Sequence, residues 1–201
     1  MPKGLRPVLA PLDEEVDHAR GPTSGCLILE YGDYECPHSR QAFRAIELAE
    51  QELSGRVRFG FRNFPLVQIH PNAFGAAAAA EAAALQNCFW AMHELLFQWQ
   101  QALEDDALLE YAEQLGLDVT RFDEDRVGPD IRRRIRRDVE SGLASGEVRG
   151  TPTLFIDGVV YPGAYDAASL TEALGRSAGS PCASTPSNSS TRSLASRTAH
   201  S

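Results

Sequence analysis

Cys36 is the side chain in this sequence that is best placed for covalent chemistry. It stands in the run Tyr34-Glu35-Cys36-Pro37-His38-Ser39. A helix is predicted to begin at Cys36, with Pro37 in its first turn, where the missing N–H of proline does no harm. Unpaired backbone N–H groups and the positive end of the helix dipole stabilise a thiolate at such a position. His38 adds positive charge when protonated, whereas Asp33 and Glu35 oppose the effect, so the sequence predicts a reactive thiol but not the balance of these charges.

The four cysteines of the chain are far apart in the sequence. They are Cys26, Cys36, Cys88 and Cys182, and no two of them form a C-x-x-C pair. They lack the spacing of a zinc site and, in a chain of this size, do not indicate a disulfide framework. Cys26 is predicted to be a core residue, and Cys88 is predicted to pack at a boundary between two helices. Cys88 and Cys182 stay open as partners that could resolve a mixed disulfide on Cys36.

Two strands and a helix are predicted to position Cys36. The apolar run from Cys26 to Tyr31 indicates a buried strand, and residues 32–35 form a turn. The helix that begins at Cys36 ends before Gly55. The alternating run from Arg56 to Arg62 predicts a second strand. A right-handed crossover through the helix makes these two strands parallel and leaves Cys36 at a junction between strand and helix.

A block of helices follows, and two strands and a helix end the folded body. Helices are predicted from Pro71 to Gln86, Phe89 to Leu103 and Asp105 to Leu115, from about Asp118 onward, and over the arginine-rich stretch. Strands are predicted over residues 153–156 and 159–161, and the Asp157-Gly158 pair between them favours a tight hairpin. The last helix is predicted over residues 166–174.

The predicted organisation of the chain has four parts. Residues 1–24 are predicted to be a flexible leader, and residues 177–201, which are rich in serine, a disordered tail. The strands belong to a body made of residues 25–70 and 150–176. Residues 71–149 form an all-helical insertion in that body.

The overall charge and hydropathy exclude several classes of protein. The chain of 201 residues has a formal net charge of −9, and phosphate contacts need an excess of Lys and Arg, so general nucleic-acid binding is not expected. Five arginines lie between Ile131 and Arg137, and they are predicted to occupy the outer face of a helix. The apolar face of that helix is Ile131, Ile135, Val139 and Leu143. We find no secretory signal and no apolar segment of the length that a membrane helix needs. The sequence therefore predicts a cytoplasmic protein without membrane insertion.

Two segments of the sequence resemble the active-site motifs of the DsbA-like branch of the thioredoxin superfamily. The first is Tyr31-Gly32-Asp33-Tyr34-Glu35-Cys36-Pro37-His38-Ser39, and the second is Gly150-Thr151-Pro152-Thr153-Leu154-Phe155-Ile156-Asp157-Gly158. The resemblance covers residues 25–176 and implies an α/β thioredoxin-like fold with the order βαβ, helical insertion, ββα. It also implies that Pro152 follows a cis peptide bond beside Cys36, and that Thr151 offers backbone groups to an extended substrate. The likeness extends to thioredoxin-like domains that are fused to some sodium/proton antiporters.

Ser39 departs from the pattern of this family, whose dithiol members carry a second cysteine at the same position. A hydroxyl group cannot resolve a mixed disulfide, so the resemblance implies release from Cys36 by an external thiol such as glutathione, or by another cysteine of this chain. We therefore expect monothiol exchange, deglutathionylation or disulfide isomerisation, with Ser39 donating a hydrogen bond to the sulfur. The expected partners are disulfides and thiols of proteins or of glutathione as co-substrate, and no metal or nucleotide cofactor is implied.

Two other functions stay open at this point. The first is a redox-inert module that holds an extended peptide in a groove at Pro152, which the missing second cysteine favours. The second is a glutathione-dependent transferase or isomerase, although in such relatives a serine typically replaces the first cysteine and not the second. His70 and His93 have no metal-ligating partner at a suitable spacing, so both are assigned structural or surface roles.

Overall fold

A five-stranded mixed sheet carries the predicted βαβ and ββα units in a computed structural model that describes residues 9–178. The strands are β1 (His18–Arg20), β2 (Cys26–Gly32), β3 (Val57–Asn63), β4 (Thr153–Ile156) and β5 (Val159–Val160). The helices are α1 (Pro37–Glu52), α2 (Ala73–Ala84), α3 (Phe89–Gln98), α4 (Asp105–Gln114), α5 (Val119–Val127), α6 (Pro129–Ala144) and α7 (Ala167–Ala178). In this described part of the chain, no helix is both long and apolar enough to cross a bilayer.

The topology of the sheet confirms the predicted thioredoxin-like fold class. The strand order is β1-β3-β2-β4-β5, and β2 and β3 are parallel across the α1 crossover. The other neighbouring pairs are antiparallel. Asp157 and Gly158 have φ angles of 47° and 81°, as the tight turn between β4 and β5 requires. The two-residue connection therefore forms the predicted hairpin.

The two faces of the sheet bury different sets of side chains. Ile28 on β2 and Phe59 and Phe61 on β3 belong to the larger apolar core, which includes residues of α1 and α7. Leu29 and Tyr31 point the other way because successive strand residues alternate between faces. They pack in a smaller cluster with Phe64, Val148 and Phe155.

The prediction of a flexible leader is wrong for residues 9–24. His18–Arg20 form β1, which pairs with β3, and Leu9 and Leu12 pack against the smaller apolar cluster. Arg62 on β3 is only 1% exposed, and it donates to Asp17 at 2.6 Å and to the carbonyl oxygens of residues 10 and 11. A buried guanidinium needs such partners, and the residues before β2 supply them. Residues 1–8 lie outside the described residues.

The predicted placement of the arginines on α6 is only partly right. Arg132, Arg133 and Arg136 are exposed, as expected. Arg134 and Arg137 instead pair with Asp17 and Asp138, which are both buried. The buried positions of the helix are Ile131, Ile135, Asp138 and Gly142. This stripe includes spacings of four and three residues, whereas the prediction used four throughout, and Leu143 is consequently exposed.

Several helix ends differ from their predicted positions. Cys36 is the N-cap of α1, and Pro37 is the first helical residue. The helix that was predicted from Phe89 to Leu103 is shorter in the structure, where α3 ends at Gln98. The last helix extends past the predicted Leu174 to Ala178, so the predicted tail begins inside it. Residues 179–201, which include Cys182, lie outside the described residues.

Candidate active site around Cys36

Cys36 lies where the chain leaves β2 and enters α1, opposite the turn that precedes β4. Its φ and ψ angles of −76° and 120° are extended, which suits a residue that precedes proline. The thiol is 4% exposed and donates a hydrogen bond to the carbonyl oxygen of Thr151, with Sγ and O 3.2 Å apart. The peptide bond between Thr151 and Pro152 is cis. The two motifs of the sequence, although separated by more than a hundred residues, therefore meet at one place.

A surface groove of about 410 Å³ runs along this second motif. It is lined by His38, Glu147, Arg149, Gly150, Thr151, Pro152, Thr153 and Tyr165. The Tyr165 hydroxyl donates to the Pro152 carbonyl at 3.0 Å, and the Thr153 hydroxyl donates to the Gly150 carbonyl at 2.7 Å. These bonds hold the backbone on both sides of Thr151. The hydroxyl oxygen of Thr151 is buried and has no hydrogen-bond partner among the described residues.

The other residues of the first motif divide into exposed and buried positions. Pro37 and His38 are exposed, and His38 reaches the groove. Ser39 is fully buried, and its hydroxyl oxygen accepts a hydrogen bond from the backbone N–H of Asp33 at 3.2 Å. We had expected the Ser39 hydroxyl to bond to the sulfur of Cys36. Its observed partner is instead a backbone N–H in the loop before Cys36.

Asp33 fixes the loop that leads to Cys36. Its carboxylate accepts hydrogen bonds from the backbone N–H groups of Glu35 and Leu66, both at 2.8 Å, and it contacts Nδ1 of His70 at 2.8 Å. The carboxylate of Glu35 likewise accepts from the backbone and side-chain nitrogens of Asn72. Both acids that we expected to oppose a thiolate therefore face hydrogen-bond donors. His70 has the structural role that was assigned to it.

Gln100 fixes the same loop from the opposite side, and the sequence analysis missed it. The residue is buried in the turn between α3 and α4. Its side-chain nitrogen donates to the carbonyl oxygens of Tyr34 at 2.6 Å and of Cys36 at 2.9 Å. Gln98 and Gln101 lie close to it in the sequence, and no local pattern distinguishes the glutamine that makes this contact from its neighbours. The helical insertion therefore takes part in positioning the thiol.

Glu30 is a second residue that the sequence analysis missed. It lies on β2, six positions before Cys36, and burial raises its pKa to about 8. Both carboxyl oxygens are without a hydrogen-bond partner among the described residues. A Cβ atom at Gly32 would lie 2.8 Å from one of them, so a side chain at that position would crowd the carboxyl group. At neutral pH the residue is therefore a buried, protonated acid.

Tyr34 and His93 form a buried pair behind the loop. The Tyr34 hydroxyl and Nδ1 of His93 are 2.8 Å apart and share a hydrogen bond. Burial raises the pKa of Tyr34 and lowers that of His93, so both groups are neutral. Aromatic rings of Phe43, Phe61 and Phe97 surround them. His93 thus has the structural role that was expected.

Neither Cys26 nor Cys88 lies within disulfide distance of Cys36. Cys26 begins β2, and the seven residues of that strand span roughly 20 Å, whereas two bridged cysteines need Cα atoms within about 7 Å. Its thiol contacts the Asp157 carboxylate at 3.4 Å, beside a separate cleft of about 1190 Å³. Cys88 caps the start of α3, whereas Gln100 follows its end, and a helix of ten residues is about 15 Å long.

Comparison with known proteins gives a consistent family and fold. Residues 27–175 match the family model of the DSBA-like thioredoxin domain. Among solved structures, BdbD from Bacillus subtilis (oxidised) superposes with a TM-score of 0.73 at 19% identity, covering 87% of this chain and 99% of that one. A thioredoxin-like oxidoreductase from Silicibacter pomeroyi DSS-3 gives a TM-score of 0.71 at 24% identity, covering 81% and 92%. These two similarities show the fold.

Curated relatives with higher identity are much longer than this chain. One is the Na(+)/H(+) antiporter NhaA 1 of Mycolicibacterium vanbaalenii, which is 42% identical over 176 residues. Another is the Na(+)/H(+) antiporter NhaA of Herminiimonas arsenicoxydans, which is 39% identical over 175 residues. The alignments cover 86% and 87% of this chain, but only 28% and 27% of the respective relatives. The chain therefore corresponds to about a quarter of each antiporter.

Proposed function

Because the chain belongs to the family of DSBA-like thioredoxin domains, we propose that it is a thiol–disulfide oxidoreductase that works by monothiol exchange at Cys36. The Cys36 thiolate attacks one sulfur of a substrate disulfide, and a new S–S bond forms as the old one breaks. The electron pair of the broken bond leaves with the other substrate sulfur as a thiolate. An external thiolate, for example that of glutathione, then attacks the mixed disulfide and returns Cys36 to its reduced form.

The observation that carries this proposal is the contact between the Cys36 thiol and the Thr151 carbonyl at 3.2 Å. It brings a cysteine at a helix N-terminus against a groove whose backbone is held in place by Thr153 and Tyr165. Ser39 follows Cys36 by three residues, and a serine there supports a mechanism with one thiol. Cys26 and Cys88 are too far from Cys36 to act as the missing second thiol, which favours an external resolving thiol.

Residues around Cys36 have separate roles in this mechanism. Backbone N–H groups of the first turn of α1 stabilise the thiolate, and His38 adds charge when protonated. Thr151 and Pro152 orient the substrate along the groove. Gln100 is a positioning residue, because its two hydrogen bonds fix the carbonyl groups on either side of Glu35.

Incubation with glutathione disulfide followed by peptide mapping tests the proposal. We expect a glutathione adduct on Cys36 that added glutathione releases. The Cys36→Ser variant loses this adduct, and the matched Cys88→Ser variant keeps it. Modification of Cys88 or Cys182 that spares Cys36 would overturn the proposal.

A second function is a redox-inert module that holds a peptide in the groove. The burial of Cys36, with 4% of its surface exposed, favours this function because attack on a disulfide requires access to the sulfur. The two functions differ in what Cys36→Ala does to peptide capture. Unchanged capture and unchanged cellular effect of the variant would support the inert module, whereas loss of both supports exchange.

We also propose that the protein works in the cytoplasm, where a glutathione pool keeps thiols reduced and can resolve the mixed disulfide. One of the similar solved structures is described as a periplasmic thioredoxin-like protein from Salmonella enterica serovar Typhimurium. Fractionation of cells that produce the full-length native protein distinguishes the two locations. Recovery with periplasmic markers would contradict our proposal.

A further inference from the structure

The loop before the second motif presents two opposite charges at the mouth of the groove. Val148 is buried among the smaller apolar cluster, which also contains Phe64 and Phe155. Its neighbours Glu147 and Arg149 are both exposed, and both line the groove. The buried valine fixes the loop, and the two charged side chains project from it into solvent.

The backbone next to Arg149 is linked to the Cys36 thiol through Thr151. Arg149 precedes Thr151 by two residues, and the carbonyl of Thr151 contacts the Cys36 thiol. Gly150 lies between them, and its carbonyl accepts the hydrogen bond from Thr153. The backbone that carries the guanidinium is thus tied directly to the backbone against which the reactive sulfur rests.

Arg149 is available to bind a ligand. The ion pairs found within residues 9–178 occupy Arg20, Arg58, Arg62, Arg121, Arg126, Arg133, Arg134, Arg137 and Arg176, but not Arg149. The chain as a whole carries a net charge of −9 and repels anions. A guanidinium at the groove attracts anions to that place. Guanidinium groups bind carboxylates through two parallel hydrogen bonds, which an ammonium group cannot do.

We propose that Arg149 makes the Cys36 site selective for disulfides that carry a carboxylate close to the reacting sulfur. This inference rests on the proposed function and names its substrate class. Glutathione disulfide has this chemistry, and its ammonium group matches the negative charge of Glu147 on the same rim. An acidic or C-terminal peptide segment has the same carboxylate without the γ-glutamyl group. A groove of about 410 Å³ falls in the range of sites that hold small molecules.

Three disulfide reagents distinguish recognition of the carboxylate by Arg149 from the exchange reaction at Cys36. They are glutathione disulfide, the disulfide of N-acetyl-cysteinyl-glycine, which keeps a carboxylate, and hydroxyethyl disulfide, which is neutral. The measurement is the rate at which each one forms a mixed disulfide on Cys36, at low and at high salt. In each case one S–S bond of the reagent breaks, one forms to Cys36, and a reagent thiolate leaves.

We expect Arg149→Ala to slow the first two reactions about two- to fivefold, the range expected for an exposed ion pair, and to leave the third unchanged. High salt reduces the difference in rate between the wild-type protein and Arg149→Ala, because it screens the charges. Arg149→Lys recovers part of the rate. Arg136→Ala removes the same charge from an exposed position on α6 and serves as the matched control.

The outcomes test the role of Arg149 separately from the proposed exchange at Cys36. Slowing of glutathione disulfide alone supports Arg149 as a glutathione contact, and slowing of both carboxylate reagents supports recognition of the carboxylate in general. Equal effects on all three reagents, or no effect on any, overturn the role of Arg149 while exchange at Cys36 stands. A wild-type protein whose Cys36 reacts with none of the three overturns both.

Discussion

The chemistry of a single-thiol site depends on what surrounds the sulfur. Cys36 has a helix N-terminus on one side and a carbonyl oxygen on the other. The two neighbouring acids, Asp33 and Glu35, accept hydrogen bonds from other parts of the chain. Ser39 is buried and bonded to backbone. At the scale of the residue, the candidate site lacks the second sulfur that a dithiol site would have at position 39.

Substitution of Ser39 tests directly whether a second sulfur is all that an internal disulfide with Cys36 lacks. Ser39→Cys places a thiol three residues after Cys36, on the same side of the helix start, so we expect the introduced thiol to form an internal disulfide with Cys36 under mild oxidation. Thiol titration and peptide mapping measure its formation. The variant Ala42→Cys also adds a buried thiol to α1, but nearly two turns from Cys36, and forms no such bond. An Ala42→Cys protein that forms the disulfide equally well would contradict this geometry.

Glu30 predicts an unusual dependence of stability on pH. Burial raises its pKa to about 8 from the usual 4.5, so the folded protein keeps a proton that the unfolded chain has lost. Stability contributed by this group is therefore present below about pH 4.5 and is lost as the pH rises toward 8. Relative to Glu30→Gln, the wild-type protein should lose on the order of 3 kcal/mol of unfolding free energy between about pH 4.5 and pH 7.

Urea unfolding at the two pH values measures this effect. The exposed residue Glu52 on α1 provides the control, because Glu52→Gln should follow the wild-type pH dependence. If Glu30→Gln also follows it, the carboxyl group is ionised and hydrated in the folded state. That result would contradict the assignment of Glu30 as a buried neutral acid.

At the scale of elements, β1 and the residues before it are part of the folded body. Asp17 accepts from Arg62 at 2.6 Å and also pairs with Arg137 on α6. Burial by itself raises the pKa of Asp17, but hydrogen bonds and the charge of Arg62 bring it below its usual value. The segment therefore connects β3 with the helical insertion.

Removal of the Asp17 carboxylate should strongly destabilise the fold. Asp17→Ala leaves the buried Arg62 without its counter-ion, and breaking such a pair costs about 3–5 kcal/mol. Chemical unfolding measures the loss. Glu15→Ala removes an exposed acid two positions earlier and should change the free energy of unfolding by less than about 0.5 kcal/mol. Equal stabilities of the two variants would mean that Asp17 does not hold the segment.

The elements that could be predicted from sequence are those with local signals. The apolar run at β2, the alternation at β3 and the Asp157-Gly158 turn depend on neighbouring residues only, and all three were placed correctly. β1 has three residues and its partner strand lies about forty residues later, so no local period reveals it. Gln100 and Glu30 were missed for the same reason, because their roles come from burial and from distant contacts.

At the scale of the whole molecule, the chemistry is concentrated at one end of the sheet. Beyond the carboxyl end of β2, the Cys36 thiol contacts the carbonyl of Thr151, which lines the groove, while Cys26 lies at the start of that strand. Cys88 is separated from Cys36 by the length of α3. The helical insertion thus contributes Gln100 to the site but keeps its own cysteine away from it.

This separation predicts the products of oxidation. Peptide mapping of the oxidised wild-type protein should find no disulfide between Cys36 and either Cys26 or Cys88, because β2 and α3 are about two to three times longer than the distance of about 7 Å that a disulfide can bridge. The Ser39→Cys variant is the positive control for detection. A Cys36–Cys88 peptide from folded protein would contradict the observed arrangement of α3.

The short outer strands of the sheet have a consequence for how copies of the protein meet. β1 has three residues and β5 has two, and they form the two edges of the sheet in the described part of the chain. Either edge therefore offers only a few unpaired backbone groups to a strand of a neighbouring chain. Short edge strands are one way in which proteins prevent edge-to-edge aggregation. We therefore expect edge-to-edge strand pairing to contribute little to any association of this protein in crowded solutions.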